Sequence, residues 1–262
     1  MLPPTPLANG HPMDPSTFFL IGPLITAAAR GIDALIGMLD PALGAASAPL
    51  VIAAITLVVR AALIPLDVRM TRAEGARRRL APQLAALRTR WKKRPDELQK
   101  RTMQLYRDAG VTPLAGMGSM LAQAPIVSVL YLALIAATLD GEPNPLVRYT
   151  RAGVSFAEPL GAAALTGAGA ALLLAAGVVT SLSVAGWVQR RTMTRLQRGL
   201  PATDMPAGVT RALGVLPFVA IVPALVVPLG AAIYLVVSTL WSTIERPLLR
   251  RILWTEAEWA PR

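Results

Sequence analysis

One cation stands where few are tolerated. Arg60 lies inside the apolar run ASAPLVIAAITLVVRAALIPLDV, residues 46–68, about the ~20 residues that cross ~30 Å of hydrocarbon. At ~1.5 Å rise per residue it falls within about a turn of the middle. An Arg at that depth costs roughly 2.5–3.5 kcal/mol, whereas each Leu, Ile or Val returns only about 0.3–0.6 kcal/mol. The run still inserts, but the guanidinium must find water or a partner. Two readings follow. Arg60 snorkels to the nearer surface, or it occupies a water-accessible cavity between helices, where it can attract an anionic group. Most other chemistry is excluded. There is no cysteine, and the only histidine is His11 in a Pro-rich N-terminal tail. No His-dependent triad, Cys-ligated metal site or Gly-rich phosphate loop can be assembled, so no enzyme is expected and no cofactor or metal is called for.

Other polar side chains fall on single helical faces. Ser119 and Gln123 are i, i+4 neighbours; Thr180, Ser183 and Trp187 share a face; Tyr234, Ser238, Trp241 and Ser242 stand at i, i+4, i+7 and i+8. Singly, each reads as a helix-packing contact or interfacial aromatic. Together with Arg60 they define a candidate groove: Arg60, Ser119, Gln123, Ser183, Tyr234, Ser238 and Trp241.

The elements that must position them are membrane spans. Of 262 residues, 54% are hydrophobic and 16% charged, against about 25% charged in an ordinary soluble domain. The apolar runs predict an all-α polytopic membrane protein with five spans, at about 46–68, 113–139, 159–186, 211–227 and 229–249. Residues 1–45 read as a tail plus an interfacial amphipathic helix, with a further span as the alternative for the apolar stretch 16–39. The tail has no basic region of the kind that opens a signal peptide. Twenty-two of the 26 Lys and Arg fall in loop 69–112, in residues 187–211 and in the tail from Arg246. By the positive-inside rule these face the cytoplasm, leaving the N-terminus outside and the C-terminus inside.

Loop 69–112 carries thirteen cations against four acids. Leu80, Leu84, Leu87 and Trp91 form one apolar stripe, with Pro82 expected to start or kink that helix. Asp96 followed by Gln99 resembles a capping box opening a second helix, whose apolar face carries Leu98, Thr102, Leu105 and Ala109 and which Gly110 ends. The segment reads as a cytoplasmic helical hairpin, its candidate contact residues Arg77, Arg78, Arg79, Arg88, Arg90, Lys92 and Lys93. Topology alone accounts for a basic loop, and anionic lipid attracts each cation by about 1 kcal/mol. An ordered hairpin with this many cations also fits a surface for nascent chains, ribosomal RNA or lipid headgroups.

In their combined order these residues resemble the YidC/Oxa/Alb membrane insertase family. VVRAALIPLDVRMTR, residues 58–72, is similar to the family's first core helix, and residues 80–116 to its cytoplasmic hairpin and Gly-Val-x-Pro-Leu-Ala-Gly junction. LAQAPI, residues 121–126, is similar to its Gln-x-Pro element, and Pro228, Gly230 and Tyr234 to the Pro-x-Gly-x-x-x-Tyr pattern opening its last span. Ser119 stands where the family commonly has Pro, and Leu235 where Trp often follows the Tyr. The absence of a large domain before the first span resembles the five-span form. The resemblance implies a non-enzymatic insertase of the bacterial inner membrane, with a groove open to cytoplasm and lipid but sealed outside. Implied partners are nascent membrane proteins and membrane lipids, with the ribosome and a Sec translocon as further ones and no DNA. The alternative from another class is a small transporter or channel with an anion site at Arg60.

Overall fold

A computed structural model describes residues 21–111, 117–151, 154–156, 158–166, 169–197, 212, 214–255 and 259. It is an all-α protein. Its helices are α1 (Gly22–Leu43), α2 (Ser47–Trp91), α3 (Pro95–Asp108), α4 (Met117–Ile135), α5 (Leu160–Thr166), α6 (Gly169–Gln197), α7 (Ile221–Val226) and α8 (Leu229–Leu253). Among the described residues, the helical stretches Gly22–Trp91 and Gly169–Gln197 are long and apolar enough to cross a membrane, and Gln123–Ile135 and Leu216–Val226 are shorter apolar helices. The chain forms two compact units. The first comprises residues 1–52, 125–175 and 225–234; the second comprises 53–124, 176–224 and 235–262.

In the first unit, Ile25, Ala29, Ile32 and Ile36 of α1 are buried. Their i, i+4, i+7, i+11 spacing turns one stripe inward. Leu24 and Met38 are exposed. Two of the three charged residues of α1 reach the loop that follows α4, while Asp40 accepts from the Ser47 hydroxyl at 3.0 Å. Arg30 pairs with Asp140 at 3.3 Å, and Asp33 accepts from Arg148 Nη2 at 2.7 Å and from the Tyr149 hydroxyl at 2.8 Å. Burial and the bond to Asp33 raise the Tyr149 pKa, while Arg148 partly offsets them.

That loop is ordered by its own chemistry. Strands β1 (Thr138–Leu139) and β2 (Glu142–Pro143) pair across Asp140-Gly141, both at positive φ, the backbone a two-residue hairpin turn requires. Asn144, almost fully buried, donates from Nδ2 to the carbonyls of Ala133 (2.8 Å) and Ala136 (2.9 Å) at the end of α4, and its Oδ1 accepts from the Leu146 amide. One side chain thereby satisfies two orphan helix-end carbonyls and caps a 3₁₀ turn. Gly230 lets Phe156, Leu134 and Ile52 pack onto the start of α8: a Cβ there would sit 3.2 Å from the Phe156 ring. Gly161 similarly meets the Leu225 carbonyl, 2.9 Å from where a Cβ would stand.

In the second unit, α2 continues through Pro65 and Pro82 to Trp91. The first apolar run and the first arm of the hairpin are therefore one helix, which does not start at Pro82. Leu80 is buried and Leu84, Leu87 and Trp91 are half-buried, as an inward stripe demands. The second arm, α3, begins at Pro95 with Arg94 as its N-cap residue and no side-chain cap. Asp96 therefore lies in the first turn rather than at the cap, because Pro at the first helical position is already preorganised for the helix. At the other end, Gly110 takes φ +64°, its N–H bonds the Arg107 carbonyl, and the Val111 N–H bonds that of Tyr106. This is a Schellman ending. On α3, Leu98, Thr102 and Leu105 are half-buried, whereas Ala109 is exposed.

Candidate functional site

The second unit brings α2 and α8 together along a polar seam. Arg60 is half-buried, and both its Nε (2.9 Å) and its Nη2 donate to Ser238 Oγ. Among the described residues no carboxylate forms an ion pair with it. Seven residues on, two helical turns along the same face, α2 carries Asp67; seven residues beyond Ser238, α8 carries Glu245. Asp67 and Glu245 act on one another electrostatically, and Arg60 also acts on Glu245. Further along, Arg250 clasps Glu74 with Nη2 at 2.9 and 3.1 Å and Nε at 3.2 Å. Trp254 Nε1 then donates to the Thr71 carbonyl at 2.9 Å. From Arg60–Ser238 to Glu74–Arg250 the pairings advance along both helices, so the two run parallel.

The middle of the seam is incompletely satisfied. Asp67 Oδ1 accepts from Gln123 Nε2 at 2.9 Å, but Asp67 Oδ2, Glu245 Oε1 and Trp241 Nε1 are buried without a hydrogen-bond partner among the described residues. Trp241 stands one turn before Glu245 and bears on its carboxylate without completing that bond. Unsatisfied buried polar atoms cost about 1–3 kcal/mol each, and their gathering beside a lone guanidinium marks this stretch as more than packing.

The candidate groove residues divide. Arg60 and Ser238 meet, and Gln123 and Trp241 join the same seam through Asp67 and Glu245. Ser183 is half-buried on α6 without a side-chain hydrogen bond to the seam. Tyr234 belongs to the first unit, where its ring packs 6.0 Å from that of Tyr131. The side chain of Ser119 lies outside the described residues, as do the N-terminal tail with His11, the junction at Gly116 and residues 198–211. Asp67, Glu74, Glu245, Arg250 and Trp254 are seam members that the reading of span faces missed. Their signal was present as a seven-residue spacing, 60, 67 and 74 on α2 and 238 and 245 on α8, the interval that keeps side chains on one helical seam.

The hairpin cations also divide. Arg79, Arg88, Arg90, Lys92 and Lys93 are exposed and Arg77 is half-buried. Trp91 is flanked by Arg90 and Arg101, each 5.8 Å from its ring. Arg78 instead turns inward: it is buried, donates to the Leu196 carbonyl at 2.8 Å and lies 5.2 Å from the Trp254 ring. It ties α2 to the end of α6 rather than presenting charge to a partner.

Long apolar helices joined by a polar seam fit a helical membrane protein. The comparisons sharpen this. The family model described as 60Kd inner membrane protein matches residues 39–256, and the chain belongs to that family, the YidC/Oxa/Alb family. It is similar to the membrane protein insertase YidC of Clostridium perfringens, 30% identical over 115 residues, covering 44% of this chain and 48% of that one. It is 28% identical over 161 residues to the membrane protein insertase YidC of Alkalihalophilus pseudofirmus, covering 53% and 60%. With the inner membrane ALBINO3-like protein 2, chloroplastic, of Chlamydomonas reinhardtii it shares 31% identity over 139 residues, covering 52% and 30%. These matches span from under a third to three fifths of the length of the curated relatives.

Proposed function

We propose that this chain is a membrane protein insertase: it moves hydrophilic segments of new membrane proteins part-way across the bilayer through a groove centred on Arg60. Five spans enclose that groove, at the positions read from the apolar runs, with the N-terminus outside and the C-terminus and hairpin in the cytoplasm. The observation that carries the proposal is the state of Arg60, half-buried in an apolar helix and held by a neutral hydroxyl, with no carboxylate pairing it among the described residues. A guanidinium held in this way retains unmet donors for an acidic residue of an incoming segment and shortens the distance over which that residue is dehydrated. The family match and the names of the relatives support the same reading. The exposed hairpin cations capture the segment first, and release follows when its apolar part enters lipid. Ribosome and Sec translocon are its expected further partners.

Protease protection in proteoliposomes tests the proposal. Arg60→Ala is expected to impair insertion of segments with acidic outside tails, and Arg60→Lys to impair it less. Undiminished insertion by the Ala variant removes Arg60 from the mechanism. Deletion of residues 83–109 is expected to leave the spans folded but slow substrate capture, and equal crosslinking of nascent chains with and without the hairpin contradicts that role.

A further inference from the structure

A second polar feature of the second unit lies apart from Arg60. A cavity of about 400 Å³ opens between the last turns of α6, the turn at Leu216–Pro217 and the second half of α8. Cavities from about 300 Å³ upward hold small ligands. Arg190, Arg246 and Arg250 line it and, among the described residues, no carboxylate does. Arg250 is committed to Glu74, and Glu245, the neighbour of Arg246, is buried and does not line the cavity. Arg190 and Arg246 are exposed and form no ion pair among the described residues. Gln189, whose Nε2 also donates to the Thr243 hydroxyl oxygen at 2.8 Å, adds a neutral donor to the wall.

This is an anion site by charge, and its remaining wall narrows the class of anion. Met193 and Leu216 line the same cavity and are 51% and 61% exposed, and the adjoining Val215 is 58% exposed. Two unpaired guanidinium groups beside an exposed apolar surface match an amphiphile better than a free phosphate. We propose that this cavity seats the headgroup of an anionic phospholipid, its phosphodiester between Arg190 and Arg246 and its acyl chains along Met193, Leu216 and Val215. Arginine forks suit phosphate oxygens.

Native mass spectrometry of the full chain, released from detergent and titrated with phosphatidylglycerol or phosphatidylcholine, tests this. Wild type is expected to retain phosphatidylglycerol at least tenfold better. Each cation near a lipid surface contributes about 1 kcal/mol, roughly fivefold, so the double variant Arg190→Gln/Arg246→Gln should weaken retention about twenty-fivefold. The corresponding Lys pair should restore most of it. Equal retention by the Gln double variant, equal retention of phosphatidylcholine, or displacement of the lipid by equimolar glycerol phosphate or an acidic peptide would overturn the proposal. No nascent chain enters the measurement, so its failure leaves the insertase reading standing, and loss of insertion leaves this site standing.

Discussion

Arg60 and Ser238, 178 positions apart in sequence, meet side chain to side chain, the Arg60 Nε donating to the serine Oγ at 2.9 Å. A neutral hydroxyl satisfies part of the guanidinium without cancelling its charge. A carboxylate at position 238 would cancel it. Ser238→Ala is therefore expected to lower insertion of acidic segments about two- to threefold, less than Arg60→Ala, since the attracting charge survives. It should also lower stability by about 1.5–3 kcal/mol, the range for a hydrogen bond to a charged group. Ser238→Asp should abolish insertion of such segments while preserving the fold. Protease protection and thermal unfolding of the same preparations check both.

Glu74 and Arg250 lock the seam beyond the unsatisfied stretch. Arg250 is buried, with its side chain 10% exposed, so removing its partner strands a desolvated charge. Breaking such a pair costs about 3–5 kcal/mol when both groups are buried, and less here because the Glu74 side chain is 37% exposed. Glu74→Ala is expected to cost about 2–3 kcal/mol in thermal unfolding, and Glu74→Ala/Arg250→Met to recover much of that loss.

Asn144 holds a loop by three hydrogen bonds that no other residue type can reproduce. Asn144→Ala leaves two buried carbonyls unpaired and is expected to cost about 2–4 kcal/mol. Asn144→Asp has the same shape but no donor, and should be at least as damaging at neutral pH. Unfolding midpoints in detergent would separate these outcomes from an indifferent surface substitution.

Two glycines should respond differently to a methyl group. At Gly161 the added carbon meets a backbone carbonyl at 2.9 Å, and at Gly230 it meets the Phe156 ring at 3.2 Å. Backbone cannot yield as a side chain can, so Gly161→Ala should cost more, about 2–3 kcal/mol against about 1 kcal/mol. Phe156→Leu should relieve Gly230→Ala alone, which a double-mutant cycle would read directly.

The Tyr149–Asp33 bond carries a pH signature. The raised phenol pKa means the folded state holds the proton more tightly, so its contribution is present below the unfolded value near ~10 and is lost as pH rises through the folded value. Stability should fall in alkali, and Tyr149→Phe should flatten that fall.

The division between local and distant information explains what could be read directly. Arg60 was legible because one charge in an apolar run violates a composition rule that needs no neighbour. The hairpin was legible because the Leu80, Leu84, Leu87 and Trp91 stripe and Gly110 are local signals of face and stop. Family membership was legible from the order of short motifs along the chain.

Sequence by itself thus determined the helical class, the apolar runs, the basic hairpin and the out-of-place arginine, since each depends on residues within a few turns of one another. Tertiary structure alone decided that Ser238, rather than a carboxylate, receives Arg60, that Asp67 and Glu245 share one stretch of seam, and that Arg78 faces inward while its neighbour Arg79 is exposed. Those outcomes depend on the register of helices far apart in the chain. Periodicity names the face of a helix, but only packing selects which residue of another helix stands opposite.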